Sequence, residues 1–589
     1  MSREKQLLSI LKTMKTAHFS IILATTIPLV LIHNGCLTNG GPEKSAEAIK
    51  TEKEFSQYAR PLEDKLARLY TDMQIASWAA AISGKDEDFK TEEVKEKLWN
   101  EFLANKEVFA TLKKYHDSGL IKDPLLCRES YGLYLQFLGN QVDPAKLNRM
   151  TEMQSDLTKH FQNFRAKVGD KVLTDNDVEE ILTKSHDSKE LEATWKAQKE
   201  IGTLVADDII KLVKLRNEVA KELGFKHYHD MSLRLSDEDP EEVSKLFDEL
   251  DTLTHDSFKS LKQEIDHVLS AQDNIKPDEM MPWHYQNRFF QEAPKIYDLD
   301  LDQYYKDKDV VKLMTNYYAG IGFDIAAIVA KSDLFEKPGK NQHGFETDID
   351  RKHNDIRVLC NVRSNDYWMG TLLHEFGHAN YTKYQDHQEL PWILDQPAAI
   401  FTTEGMAMLF ERFATSPKWM LDMKVITKEE MVRITPAAQK ILRLRQLVFS
   451  RWAQVMYRFE KSLYENPDQD LNKLWWDIVE KYQMIKRPAN RNLPDWATKI
   501  HIVTDPCYYH NYLMGDMFAS QMYCYVSEKV MKNPPGTISS FANNKDAGRF
   551  FIEKIFKPGS RWFWNDMIER ATGEKLTAKY YARQFVQER

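Results

Sequence analysis

The pentapeptide His374-Glu375-Phe376-Gly377-His378 constrains this chain more than any other stretch. It reads H-E-x-x-H, a pattern that makes chemical sense on an α-helix. Residues four apart share one helix face, so both imidazoles can reach a single ion. Glu375 lies one step round, where it can take a proton from an attacking water. The apolar run Tyr367-Trp368-Met369-Gly370-Thr371-Leu372-Leu373 just before it predicts a buried helix. Two histidines leave a tetrahedral zinc one protein ligand short, with a further position for water.

The acids within reach downstream are Asp386, Glu389, Asp395, Glu404 and Glu411. Pro391 and Pro397 break the chain after the first helix. A second helix is expected from Glu404 to Glu411, with Thr402 or Thr403 as its cap and Glu404 in its first turn. Phe401 and Met406 to Phe410 make that turn apolar, and a buried carboxylate needs a cation beside it. Glu404 is therefore the favoured third ligand, and Glu411 reads as a capping or surface acid. Two histidines, one glutamate and an open position make a hydrolytic zinc centre, one ion per chain.

With 589 residues, 22 glycines and 21 prolines, the sequence predicts a mainly α protein of long helices, without linkers or repeats. One catalytic domain is expected over 51–589, with two helical lobes around a deep central cleft. A net charge of −8 with interspersed signs excludes nucleic acid as a natural partner. Ile21 to Ile32 is apolar and follows Lys12 and Lys15, which fits an export signal over 1–36 better than a membrane span. Gly35-Cys36 matches the end of a lipoprotein signal, and 37–50 reads as a short tether. The expected location is exported: periplasmic, or membrane-anchored through a lipid on Cys36 or an uncleaved signal. The remaining cysteines, Cys127, Cys360, Cys507 and Cys524, allow three pairings that sequence does not choose among.

Asp143-Pro144 and Asp239-Pro240 are helix starts. Stripes follow each: Leu147, Met150, Leu157, Phe161 and Phe164 after the first, and Val243, Leu246, Phe247, Leu250 and Leu253 after the second. Residues 70–115 and 440–465 read as long amphipathic helices. One small β element is expected near the motif helix, at Asp355-Ile356-Arg357-Val358-Leu359-Cys360-Asn361-Val362, where a strand edge could pair with an extended peptide.

Lys499-Ile500-His501 and the tyrosines up to Tyr512 form a second constellation. Carbonyl hydrolysis builds charge on an oxygen, and imidazole and phenol donors suit it. Together with Leu474-Trp475-Trp476-Asp477-Ile478-Val479-Glu480-Lys481-Tyr482-Gln483 and Gln291 ahead of Ile296-Tyr297-Asp298-Leu299, these blocks resemble the angiotensin-converting enzyme family of zinc peptidyl-dipeptidases, in a bacterial-type version.

The resemblance implies release of dipeptides from the C-terminus of oligopeptide substrates. It implies His374, His378 and Glu404 as zinc ligands and Glu375 as general base. It implies His501 and Tyr512 as oxyanion donors, and Gln291, Lys499 and Tyr509 as the grip on the substrate's terminal carboxylate. His343 would touch a substrate carbonyl. The sequence also departs from the animal enzymes. The Lys499 block has one extra residue before Tyr509, which leaves Tyr508, Tyr509 and Tyr512 open to reassignment. Asn511 and Val479 stand where chloride-binding arginines are expected. Met408 replaces an acid one turn after Glu404, and the usual partner of Cys360 is absent. The alternatives are a related zinc oligopeptidase cutting internally and a catalytically inactive binding homologue.

Overall fold

Sparse glycine and proline let the backbone run far before anything stops it. In the computed structural model, which describes residues 44–586, helices Ala46–Ser83 and Lys428–Glu465 each run 38 residues. The protein is mainly α, with two small antiparallel hairpins among the described residues. The expected export segment and Cys36 lie outside the described residues. The expected tether is shorter than 37–50, because Ala46 already begins a helix capped by Ser45.

Asp143 and Asp239 each accept bonds from two backbone N–H groups and start helices Pro144–Asn163 and Pro240–Gln272. Carboxylates at that position satisfy donors the helix itself leaves open. Val243, Leu246, Phe247 and Leu250 are buried as their spacing requires, whereas Leu253 is 38% exposed. The stretch 70–115 is not one helix. Gly84 ends the first in a left-handed turn (φ 65), and Asn105 starts a third after Asp86–Leu103.

Among the described residues, buried apolar side chains form one large body, a second beneath the N-terminal helices around Phe55, Leu66, Trp99 and Trp392, and a small third of Trp78, Phe345, Ile349 and Leu359. The functional hairpin lies beside the second. Its strands are Phe345–Asp350 and Asp355–Leu359, paired Phe345 to Leu359 through Asp350 to Asp355 with an irregularity near Asp348. The strand expected at 355–362 exists but stops at Leu359, and its partner strand was not legible. Its outer side is already taken: Asp333 N–H donates to Val358, and Cys360 N–H donates to Asp333, both at 2.9 Å. Among the described residues the far edge of Phe345–Asp350 has no strand partner, though Gln74 Nε2 donates to its Asp348 carbonyl at 3.3 Å; an extended peptide would meet this strand and not the one expected from sequence.

Candidate active site and metal centre

The motif helix is Asp366–Lys383, capped by the Asn365 side chain, and every residue from Trp368 to Thr382 is buried. Its two imidazoles turn their Nε2 atoms toward each other, 3.2 Å apart. Their Nδ1 atoms are each held from behind. Glu411 Oε2 lies 3.0 Å from His374 Nδ1, and Thr403 Oγ1 lies 2.7 Å from His378 Nδ1. Such contacts fix tautomer and ring orientation for a metal on the opposite nitrogen.

Glu404 arrives on helix Ile400–Glu411, with Oε2 3.9 Å from His374 Nε2. Both carboxylate oxygens are buried without a hydrogen-bond partner among the described residues. His374, His378 and Glu404 offer one ligand atom each within 4.8 Å of one another, a spacing that suits one small dication. An orphaned buried carboxylate facing two oriented imidazoles fits zinc, because the ion supplies the missing partner for all three.

Glycine makes this approach possible. A Cβ on Gly377 would lie 2.9 Å from Ala407 Cα, and one on Gly405 would lie 2.6 Å from the Gly515 carbonyl oxygen. The motif helix, the Glu404 helix and the tyrosine helix Tyr509–Tyr525 thus touch backbone to backbone.

The site's electrostatics follow from burial. Desolvation pushes the Glu375 carboxyl up to about 7, with Glu404 adding and His374 opposing. Glu404 also rises to about 7 through burial. Burial works against charge on His374, but the Glu411 hydrogen bond and the carboxylates of Glu375 and Glu404 prevail and raise it to about 9.

The other expected residues fall into two groups. Lys499 is buried and donates to Gln291 Oε1 at 2.7 Å, with its ammonium 5.8 Å from the Tyr509 ring centroid. Gln291, Lys499 and Tyr509 are therefore one pocket. The buried Tyr512 hydroxyl has no partner among the described residues, and burial first, then Tyr508 and the negative charge of Glu404, raise its pKa. His501 is buried, its ring 5.3 Å from that of Tyr509. His343 is half-buried, one residue before Gly344, where a Cβ would lie 3.0 Å from Thr371 Cγ2 and 3.6 Å from Glu375 Oε1. Tyr509 faces Lys499, while Tyr508 and Tyr512 meet edge to face, their ring centroids 5.1 Å apart, on the side that feels Glu404.

The profile of the angiotensin-converting enzyme family matches residues 49–585. The chain belongs to the angiotensin-converting enzyme family. It is 21% identical over 575 residues to the angiotensin-converting enzyme of Theromyzon tessulatum, covering 91% of each chain. It is 23% identical over 601 residues to that of Haematobia irritans exigua, covering 91% of this chain and 93% of the relative. Membership makes the protein a zinc metallopeptidase acting on peptides.

Two expectations need correction within this family frame. Helix Ile400–Glu411 begins two residues before Thr402, so Glu404 is its fifth residue and not in a Thr-capped first turn. Thr403 serves His378 instead of the helix end. Glu411 is not a surface or capping acid: it supplies the partner of His374 that Met408 cannot. The signal was present, since seven residues from Glu404 is two helical turns on the same face. Gln483 was also missed as a positioning group. It donates to the carbonyls of Phe289 and Phe290 at 3.0 and 2.9 Å, which fixes the loop carrying Gln291.

Proposed function

We propose that this zinc metallopeptidase is a peptidyl-dipeptidase. The observation that carries the reading is the buried cluster in which Lys499 donates to Gln291 Oε1 at 2.7 Å beside Tyr509, with the His501 ring 5.3 Å from that of Tyr509. One buried cation with two neutral donors is what a peptide's terminal carboxylate needs. Anchoring that carboxylate fixes how many residues lie between it and the reacting carbonyl.

His374, His378 and Glu404 hold zinc. When bound, zinc acidifies water and polarises the substrate carbonyl. Glu375 takes the proton from the attacking water and passes it to the departing amine. Tyr512 and His501 donate to the oxygen on which charge develops. His343 and the strand Phe345–Asp350 align the peptide backbone. The apolar stretch Ile21 to Ile32 supports export, with the enzyme working outside the cytoplasm.

The test uses two versions of one short peptide, with a free and an amidated C-terminus, and reads products by mass. Dipeptide release from the free form, lost on amidation, is expected. Equal cutting of both forms at internal bonds would establish the oligopeptidase alternative, and retention of zinc without cleavage would establish a binding homologue.

A further inference from the structure

Side chains alternate across a strand, so Phe345–Asp350 has two different faces. Phe345, Thr347 and Ile349 turn to helix Ala46–Ser83, with Trp78 against Phe345 and Gln74 donating to Thr347 at 3.0 Å. Glu346 and Asp348 occupy the other face, toward the motif helix. The Glu346 backbone N–H faces the Glu375 carboxylate, and its side chain sits beside the Thr382 hydroxyl, seven residues along the same helix face from Glu375.

Charge balance separates the acids of this region. Asp348 pairs with Arg351 at 2.9 Å. Asp395 pairs with His387 at 2.9 Å and lies 4.0 Å from Lys352. Glu346 has no ion-pair partner among the described residues, and its Oε1 is shut from solvent with no hydrogen bond. Burial first, then the neighbouring charge of Asp348, raises its carboxyl to about 8. A buried acid of this kind is stabilised by any cation brought beside it.

Direction follows from the two ends of the site. Lys499 packs with Phe289 and Trp452. Asp348 is tied to Arg351, which lies over Tyr70 and Trp392 on the N-terminal side of the molecule. A peptide whose terminal carboxylate is at Lys499 and whose reacting carbonyl is at Glu375 runs its remaining residues past Glu346.

We propose that Glu346 is a specificity-determining residue that selects substrates with a lysine or arginine side chain just N-terminal to the cut bond. This deepens the peptidase reading and rests on the carboxylate anchor for its direction. The incoming ammonium or guanidinium supplies the charge partner that the fold omits. A site built around a missing partner discriminates strongly against analogues lacking it.

The test compares free-C-terminus peptides that differ only in arginine against citrulline, at each of the two positions preceding the released dipeptide. Citrulline keeps the shape and removes the charge. The zinc-loaded enzyme is expected to show kcat/KM about ten-fold higher for arginine at one position, the worth of one charge-assisted hydrogen bond. Glu346→Gln should bring that ratio to about one, and Glu346→Asp should keep part of it. Because each variant is scored by its own ratio, a general loss of activity does not mimic the effect. A wild-type ratio near one, or an unchanged ratio in Glu346→Gln, overturns the proposal. Products identify the bond cut, so an enzyme that cuts internally still reports the preference at that bond. Should no peptide be cut, calorimetric titration of the arginine and citrulline peptides into Glu375→Gln reads the same ratio, and equal affinities overturn it.

Discussion

Glu375 and Glu411 both touch the histidine chemistry, yet they do different work. Replacing Glu375 with Gln removes the proton acceptor and leaves the ligand set, so turnover should fall on the order of a hundred-fold or more with zinc retained. Replacing Glu411 with Gln weakens the hold on His374 Nδ1, and zinc affinity measured by competition with a chelator should fall about ten- to a hundred-fold. A third carboxyl, Glu460, governs pH dependence away from the metal. It is buried, accepts from Cys507 N–H at 3.0 Å, and desolvation raises it to about 8 against the opposing pull of Arg216. An acid held above its unfolded value keeps its proton in the folded state while the unfolded chain has lost it. Its effect therefore costs stability progressively as pH rises from about 4.5 to about 8. Urea unfolding at pH 5.5 and pH 8 should show Glu460→Gln gaining on wild type at the higher pH by on the order of a few kcal/mol. An equal difference at both pH values would assign the proton elsewhere. At this scale the metal motif was legible, because its spacing is local. It hid Glu411, because an acid on an apolar helix reads alike whether it faces solvent or an imidazole.

Helices here are placed by what their glycines lack. Gly405 packs so closely on the Gly515 carbonyl that Gly405→Ala must separate the Glu404 helix from the tyrosine helix. The expected result is a loss of about 1–3 kcal/mol in stability together with weaker zinc binding, since Glu404 is the next residue back. Unchanged zinc affinity would show that the ligand adjusts independently of its helix. Helix starts such as Asp143-Pro144 were legible because capping is written in adjacent residues. The functional hairpin was only half legible. Phe345–Asp350 carries Glu346, Asp348 and Asp350 on one face, and that acidic alternation resembles a loop until the site that uses it is in view. The aromatic block ending at Gln483 was legible as a pattern. Its job, holding Phe289 and Phe290 from 193 residues away or more, was not, because no local periodicity encodes it.

For the molecule as a whole, zinc acts as a joint between separate stretches of chain. Because it binds the folded state, chelation should lower the unfolding temperature, and restored zinc should raise it in a concentration-dependent way. The two positions expected to carry chloride-binding arginines hold buried Val479 and Asn511. Rates with and without chloride should therefore differ little, and a large stimulation would reveal an anion site built from other residues. A mainly α fold was readable from scarce glycine and proline, while the break at Gly84 was missed although Ser83-Gly84-Lys85-Asp86-Glu87-Asp88 interrupts the apolar pattern there. That break carries a consequence. Gly84 meets Gly339 backbone to backbone, and Asn341 N–H donates to Ala81 at 2.8 Å, just ahead of His343. The N-terminal helix is thus stitched to the doorway through which a peptide's backbone passes, and a protease nick near Ser83 would disable the enzyme while leaving its metal in place.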